Sequence, residues 1–155
     1  MDAIDHRILA ALQEDSALST ADLADRVGLS PTPCWRRVRQ LEAAGYIRKR
    51  VALLDRDLLG VGTTVFVSIR TKTHAEDWLT KFAKVVQSMP EVVEFHRMSG
   101  DIDYLMKVVV PDIPAYDAFY KRLISAIDLS DVSSSFAMEE IKATTTLPLT
   151  YLKET

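Results

Sequence analysis

The sequence holds a single cysteine, Cys34, among 155 residues. One thiol can form no disulfide within a chain and cannot build a multi-thiolate zinc site. Long apolar runs are missing too. Nothing approaches the roughly 18 consecutive apolar residues that span a bilayer, and the opening stretch MDAIDHRILAAL carries acids where a signal peptide carries bases. A cytoplasmic protein without metal, cofactor or membrane association is expected. Histidine is scarce: His6, His74 and His96 are scattered, none at the i, i+4 spacing of a helical metal site, and no nucleophile–base pair accompanies them. Each reads as a surface or structural residue, and the chain reads as a non-enzyme.

What is present is an ordinary globular composition, 48% hydrophobic and 26% charged, enough for one or two small domains. The net charge of -3 conceals a division along the chain. Residues 1–50 hold eight Lys/Arg against seven Asp/Glu, and the remainder holds eleven against fifteen. Between Trp35 and Arg50 stand Arg36, Arg37, Arg39, Arg48, Lys49 and Arg50, opposed only by Glu42. By itself such a run is usually a solvated face, so the basic stretch is a candidate nucleic-acid contact that needs a second argument.

Local patterning supplies that argument. Ile4, Ile8, Leu9 and Leu12 recur at helical spacing until QEDSALS breaks the pattern. Thr20 is suited to cap a second helix bearing Leu23, Ala24 and Val27, and Gly28 stops it. Ser30 then caps a third helix with Pro31 at its first position, where a missing N–H is tolerated. Helix, tight glycine turn and helix make the helix-turn-helix pattern. Along the third helix Cys34, Val38 and Leu41 fall on one stripe, which leaves Thr32, Trp35, Arg36, Arg39 and Glu42 on the open side and Arg37 between the faces. Cys34 is a core residue by its phase. Trp35 fits equally a contact to DNA and packing on a neighbouring side chain. An arginine fork matches guanine O6 and N7 or a phosphate, so the open face is read as the part that enters a major groove.

After Gly45 the pattern turns extended over Ile47 to Leu54, and a hinge strand with linker is expected over residues 46–61. There Arg48 and Lys49, with Arg50, would touch phosphates. Beyond it, TTVFVSIRT reads as a strand and AEDWLTKFAKVVQSM as a helix with Trp78, Phe82, Val85 and Val86 on one stripe. VVEFHRMS and IDYLMKVVV are strands around Gly100-Asp101, and IPAYDAFYKRLISAI is a helix with Tyr116, Phe119, Tyr120, Leu123 and Ile127 inward. A last strand is expected from about Val132 to Thr145. The order βαββαβ is the ferredoxin-like one, so the chain is α+β with domains at 1–45 and 62–155.

Five ordered stretches resemble the Lrp/AsnC, or feast/famine, transcriptional regulators: MDAIDHRIL, GLSPTPCWRRVRQLEAAGYI, ALLD, SGDIDYLMKVVVPDI and FAMEEIKATTTLPL. PTPCWRR, VALLD, FYKRL and the last stretch look most like the branch with cysteine-responsive members. The resemblance implies a DNA-binding domain with Ser30, Thr32, Trp35, Arg36, Arg37, Arg39, Arg48 and Lys49 at double-stranded DNA with a palindromic operator. It also implies homodimers formed through the C-terminal sheets, assembled further to tetramers or octamers, and an amino-acid effector bound between dimers.

For the effector the resemblance points to the turn Met98, Ser99, Gly100, Asp101, Asp103 and Tyr104. Ser133, Ser134, Ser135, Phe136 and Ala137 would come from a neighbouring chain. Gly100 would admit backbone N–H groups to a carboxylate, Asp101 or Asp103 would accept from an ammonium group, and small serines would suit a small ligand, cysteine first. Without the resemblance, Gly-Asp is ordinary turn chemistry. The competing reading is an amino-acid sensor or protein-interaction module that has no DNA role.

Overall fold

A computed structural model describes residues 1–71 and 76–152. The chain forms two compact units, one of Met1–Leu53 together with the segment from Lys142 onward, the other Leu54–Ile141. His74 lies outside the described residues.

In the first unit, α1 (Ala3–Glu14) begins with a reciprocal cap: the Asp2 carboxylate accepts from the Ile4 and Asp5 amides, and Asp5 accepts from the Asp2 amide. The second helix, α2 (Thr20–Val27), is capped one residue earlier than expected. Ser19 is the N-cap and Thr20 the first helical residue, because the Ser19 hydroxyl accepts from the Asp22 amide and also bonds the Asp22 carboxylate. Gly28, at φ +72°, ends α2 in the left-handed region. Ser30 does occupy the N-cap of α3 (Pro31–Ala43), yet its hydroxyl makes no capping bond. The usual acceptor-seeking amide at the third helical position is missing there, because that residue is Pro33. Ile8, Leu9, Leu23, Ala24, Val27, Cys34, Val38 and Leu41 fill the core of this unit.

The expected hinge strand does not form. Residues 46–61 carry no strand, since an extended segment needs a ladder partner. Within it Asp55 accepts from the Asp57 and Leu58 amides and folds the chain into a turn.

In the second unit β1 (Thr63–Arg70), α4 (Glu76–Gln87), β2 (Val92–Arg97), β3 (Tyr104–Val110), α5 (Ile113–Ala126) and β4 (Asp131–Phe136) follow in the ferredoxin-like order. The antiparallel sheet runs β2-β3-β1-β4, so β1 is central and β4 is an edge. Period-two alternation turns Val65, Val67 and Ile69 of β1 and Tyr104, Met106, Val108 and Val110 of β3 inward, where Phe82, Val86, Phe119 and Leu123 of the two helices meet them. Phe66, Leu105 and Val109 alternate to the other face. β4 is shorter than the expected 132–145. The Ala137 amide donates to the Thr64 carbonyl at 2.9 Å, β1 begins one residue before that, and no further partner remains. The segment from Lys142 onward belongs to the first unit, whereas the sequence pattern assigned 62–155 to one domain.

Phe119 is wholly buried between the helices and the sheet. Phe119→Ala should destabilise this unit by roughly 3–5 kcal/mol, read as a lower urea midpoint at unchanged slope; a midpoint at the wild-type value would place Phe119 outside the core.

Candidate nucleic-acid interface and effector site

Helix α3 presents the face that its periodicity requires. Cys34, Val38 and Leu41 are buried, while Thr32, Trp35, Arg36 and Arg39 are exposed. Trp35, at 52% exposure, stands on the open side. Its ring lies 5.9 Å from the Arg39 guanidinium carbon, and Glu42 accepts from Arg39 at 3.1 Å one turn further on. Arg39 is therefore held in place between an aromatic face and a carboxylate. Glu42 also faces Arg50 at 3.5 Å, and Arg50 donates to the Ser16 carbonyl. Arg36 makes no ion pair among the described residues and is free to meet an anion. Arg48 and Lys49 are exposed on the segment leaving α3.

Arg37 differs from its neighbours. Its guanidinium donates to Asp2 and to Asp5, both at 2.8 Å, which bolts the start of α1 to the middle of α3. Expected among the DNA contacts, Arg37 is engaged inside its own unit and orients the helix that carries Arg36. The Asp5 amide first, then the Arg37 guanidinium, hold the Asp2 carboxyl below its ordinary value. The Asp-x-x-Asp spacing of the cap is legible in the sequence, but its partner more than thirty residues away has no local signature.

The effector residues divide. Gly100, at φ +126°, lets the turn between β2 and β3 close where a side chain would be strained. The Met98 amide donates to the Asp103 carbonyl, the Asp103 amide to the Ile69 carbonyl, and the Asp103 carboxylate accepts from the Thr71 amide at 2.8 Å. Asp103 thus ties the turn to the end of β1. Asp101 offers its carbonyl to Arg70 at 2.7 Å and keeps its carboxylate exposed, and Ser99 is exposed beside it. Tyr104 is the departure: its ring is buried with Trp78, Phe82 and Phe95, so it belongs to the core, as the inward phase of β3 dictates.

On β4, Ser133 and Ser135 lie opposite Ser68 and Phe66 on the face away from the helices, while Ser134 and Phe136 lie opposite Val67 and Val65 on the helix side. The Ser134 hydroxyl is bonded to the Tyr116 hydroxyl, whose pKa burial pushes up. Phe136 packs edge-on against the same Tyr116 ring at 5.2 Å. Register spreads the β4 group along β1: Ser133, opposite Ser68, lies one position from the partner of Tyr104, and Ala137 lies farthest away. Tyr104 pairs with Ile69, whereas Ala137 meets Thr64. Thr64 and Ile69 are five steps apart on β1, roughly 16 Å at the strand rise.

Among the described residues no cluster of His, Cys, Asp and Glu could hold a metal. His96 faces Glu94 at 3.3 Å on the outer sheet face, with Lys107 on the same carboxylate. His6 is in α1, its Nε2 buried without a hydrogen-bond partner. No described helix is long and apolar enough to cross a membrane.

Comparison with known proteins agrees with this division of labour. Residues 1–48 match the winged helix-turn-helix DNA-binding family, and residues 64–147 match the Lrp/AsnC ligand binding domain. The DNA-binding transcriptional activator DecR of Escherichia coli is 51% identical over 150 residues, 96% of this chain and 99% of that protein. The glutamate uptake regulatory protein of Zymomonas mobilis is 50% identical over 149 residues, 96% of this chain and 91% of that one. A crystal structure of an AsnC family transcriptional regulator from Agrobacterium tumefaciens superposes with a TM-score of 0.96 at 62% identity, covering 99% of this chain and 100% of that one. A transcriptional regulator from Neisseria meningitidis, solved in complex with L-methionine, gives 0.94 at 38% identity, covering 99% of both chains. These relatives are transcriptional regulators, not enzymes.

The Asp2 carboxylate contributes stability above its ordinary pKa of 3.8, and that contribution is lost as pH falls through its lower folded value. Asp2→Asn should lower the melting temperature of the first unit at neutral pH, and the gap to wild type should close as pH is taken below 3.8. A gap that stays constant down to pH 2 would assign the loss to something other than the charge of the Asp2 carboxylate, which the Asp5 amide and Arg37 both stabilise.

Proposed function

The chain belongs to the Lrp/AsnC family, DNA-binding transcriptional regulators with an amino-acid effector, and from that premise we propose that Arg36 and Arg39 on α3 grip the operator major groove. The observation that carries this is the open face of α3: Arg36 exposed and without an ion pair among the described residues, and Arg39 oriented by Trp35 and Glu42. Ser30, Thr32 and Trp35 stand at the helix start, where the backbone field favours phosphate. Arg48 and Lys49 position the unit on the backbone. Arg37 acts through α1, not through DNA. The protein works in the cytoplasm as a homodimer that assembles to a tetramer or octamer, on a palindromic operator whose two halves match its two-fold axis. The outer sheet face, with Phe66 at 39% exposure beside Leu105 and Val109, supports the dimer contact, because a second sheet would cover it.

The effector is a small amino acid, with cysteine the first candidate. The likeness to the regulator that holds L-methionine supports a sulfur-containing ligand. Small hydroxyls at Ser133 and Ser135 suit a shorter side chain. Met98, Ser99, Gly100 and Asp101 of one chain receive the ligand's charged groups, and Ser133, Ser135 and Ala137 of a neighbouring chain complete the site. Asp101, the exposed carboxylate, takes the ammonium group, while Asp103 holds the turn.

Anisotropy titration of the protein against its own upstream DNA over a salt series, with and without each amino acid, tests the reading: affinity should fall with salt and shift with one amino acid. No DNA binding at low salt would favour the sensor-only reading. Arg36→Ala should weaken operator binding by roughly 1–3 kcal/mol and relax base preference; equal binding of wild type and variant to operator and scrambled DNA would remove Arg36 from the interface. Asp101→Ala should leave operator affinity intact and abolish the heat of amino-acid binding, and a normal calorimetric isotherm would move the pocket elsewhere.

A further inference from the structure

The segment after β4 does not end with the sheet. Met138 and Ile141 are almost fully exposed, and between them Glu140 accepts from Arg56 at 2.8 Å, so one ion pair and little apolar packing hold the chain as it leaves the second unit. It then joins the first unit through specific contacts. The Gln13 side chain on α1 bonds Leu147 twice, donating to its carbonyl at 3.2 Å and accepting from its amide at 2.7 Å. Pro148 follows in extended conformation, a short turn covers Leu149–Tyr151, and Leu149 and Leu152 pack on the helical core beside Ile4 and Leu12. A two-bond clasp on one backbone unit fixes register, which random apolar burial would not.

We propose that this segment is a strap docked on α1, and that it carries the state of the effector strand to the DNA-reading helix. The reading rests on the effector site proposed above. Upstream of the strap lies β4, an edge strand paired only with β1 and carrying Ser133 and Ser135. An edge strand is held by one ladder alone, so it opens at lower cost than a strand paired on both sides. Downstream the strap holds α1, and α1 holds α3 through Asp2, Asp5 and Arg37. Every link from β4 to the face bearing Arg36 is therefore a covalent or hydrogen-bonded contact. The element with two discrete states is the strap itself, clasped or released, and a ligand shifts it by binding one state better than the other.

The test uses the full chain with two variants: Gln13→Glu, which keeps the acceptor but removes the donor to Leu147, and the double variant Leu149→Ala, Leu152→Ala. Hydrogen exchange, calorimetry with L-cysteine and L-methionine, and anisotropy with operator DNA are measured on each. Amides of α1 should exchange about fivefold faster or more in both variants, while those of β1 and β3 keep their protection. Amino-acid binding should persist, yet the shift in DNA affinity that the amino acid causes in wild type should shrink to less than about twofold. Unchanged exchange in α1 would show that the strap is not docked and would overturn the proposal. A variant as responsive as a responsive wild type would overturn it alone and leave the effector reading standing. A wild type whose DNA affinity ignores every amino acid would sink the effector reading and the strap's signalling role together. Gln13→Glu guards against misfolding, since its side chain lies at the surface and adds no cavity.

Discussion

A helix that offers arginines to a polyanion must be held by its other face alone, and on α3 that face is narrow: Cys34, Val38 and Leu41. Three small or medium side chains bury little area, so the helix could roll about its axis under the load of a phosphate contact. The Arg37 pair to Asp2 and Asp5 prevents this. Part-buried, doubly bonded and set between the two faces, it fixes the rotation of α3 relative to α1. Exposed ion pairs contribute little to stability, so its value is angular: it decides where Arg36 and Arg39 point.

The second unit depends on a different constraint, the alternation of one strand. β1 pairs on both sides, and its inward residues join the core while its outward residues make the opposite sheet face. One strand therefore sets which serines of β4 are available. Ser133 and Ser135 sit opposite outward residues and stay free of the core. Ser134 and Phe136 sit opposite inward residues and join Tyr116. A register shift of one residue would exchange the two pairs and put the Tyr116 partner in the solvent-facing row.

Much of this was legible before any coordinates. Helical phase assigns Cys34 to the core and Arg36 to the open side, the glycine after α2 marks the turn, and the alternation of polar and apolar runs yields βαββαβ. The failures share a cause, which is that sequence patterns report local preference and miss distant partners. Ile47 to Leu54 has the composition of a strand but no ladder to join. Past Phe136, Ile141 and Thr144 to Thr146 are β-branched, yet β1 has run out beside them. Tyr104 lies next to a turn that looks functional, and strand phase sends its ring inward nonetheless. Asp103 and Arg37 carry charges that suit a ligand or DNA, and each is already bonded to a backbone amide or a carboxylate far away in the chain.

The distance between the Gly100 turn and the end of β4 bears on how such a regulator responds. Tyr104 and Ala137 address opposite ends of β1, so within one chain no small ligand touches both the Gly100 turn and Ala137, although Ser133 lies one β1 position from Tyr104. A ligand that needs both must bridge two copies, and its affinity then depends on how those copies are arranged. Reciprocity follows: whatever arrangement favours the ligand is favoured by it. Because the DNA-reading helices are attached to the same copies, and their spacing must match half-sites along a duplex, a change in arrangement changes DNA affinity without any contact between ligand and α3. On the proposed division of the binding residues between two chains, the response to an amino acid is a property of the assembly.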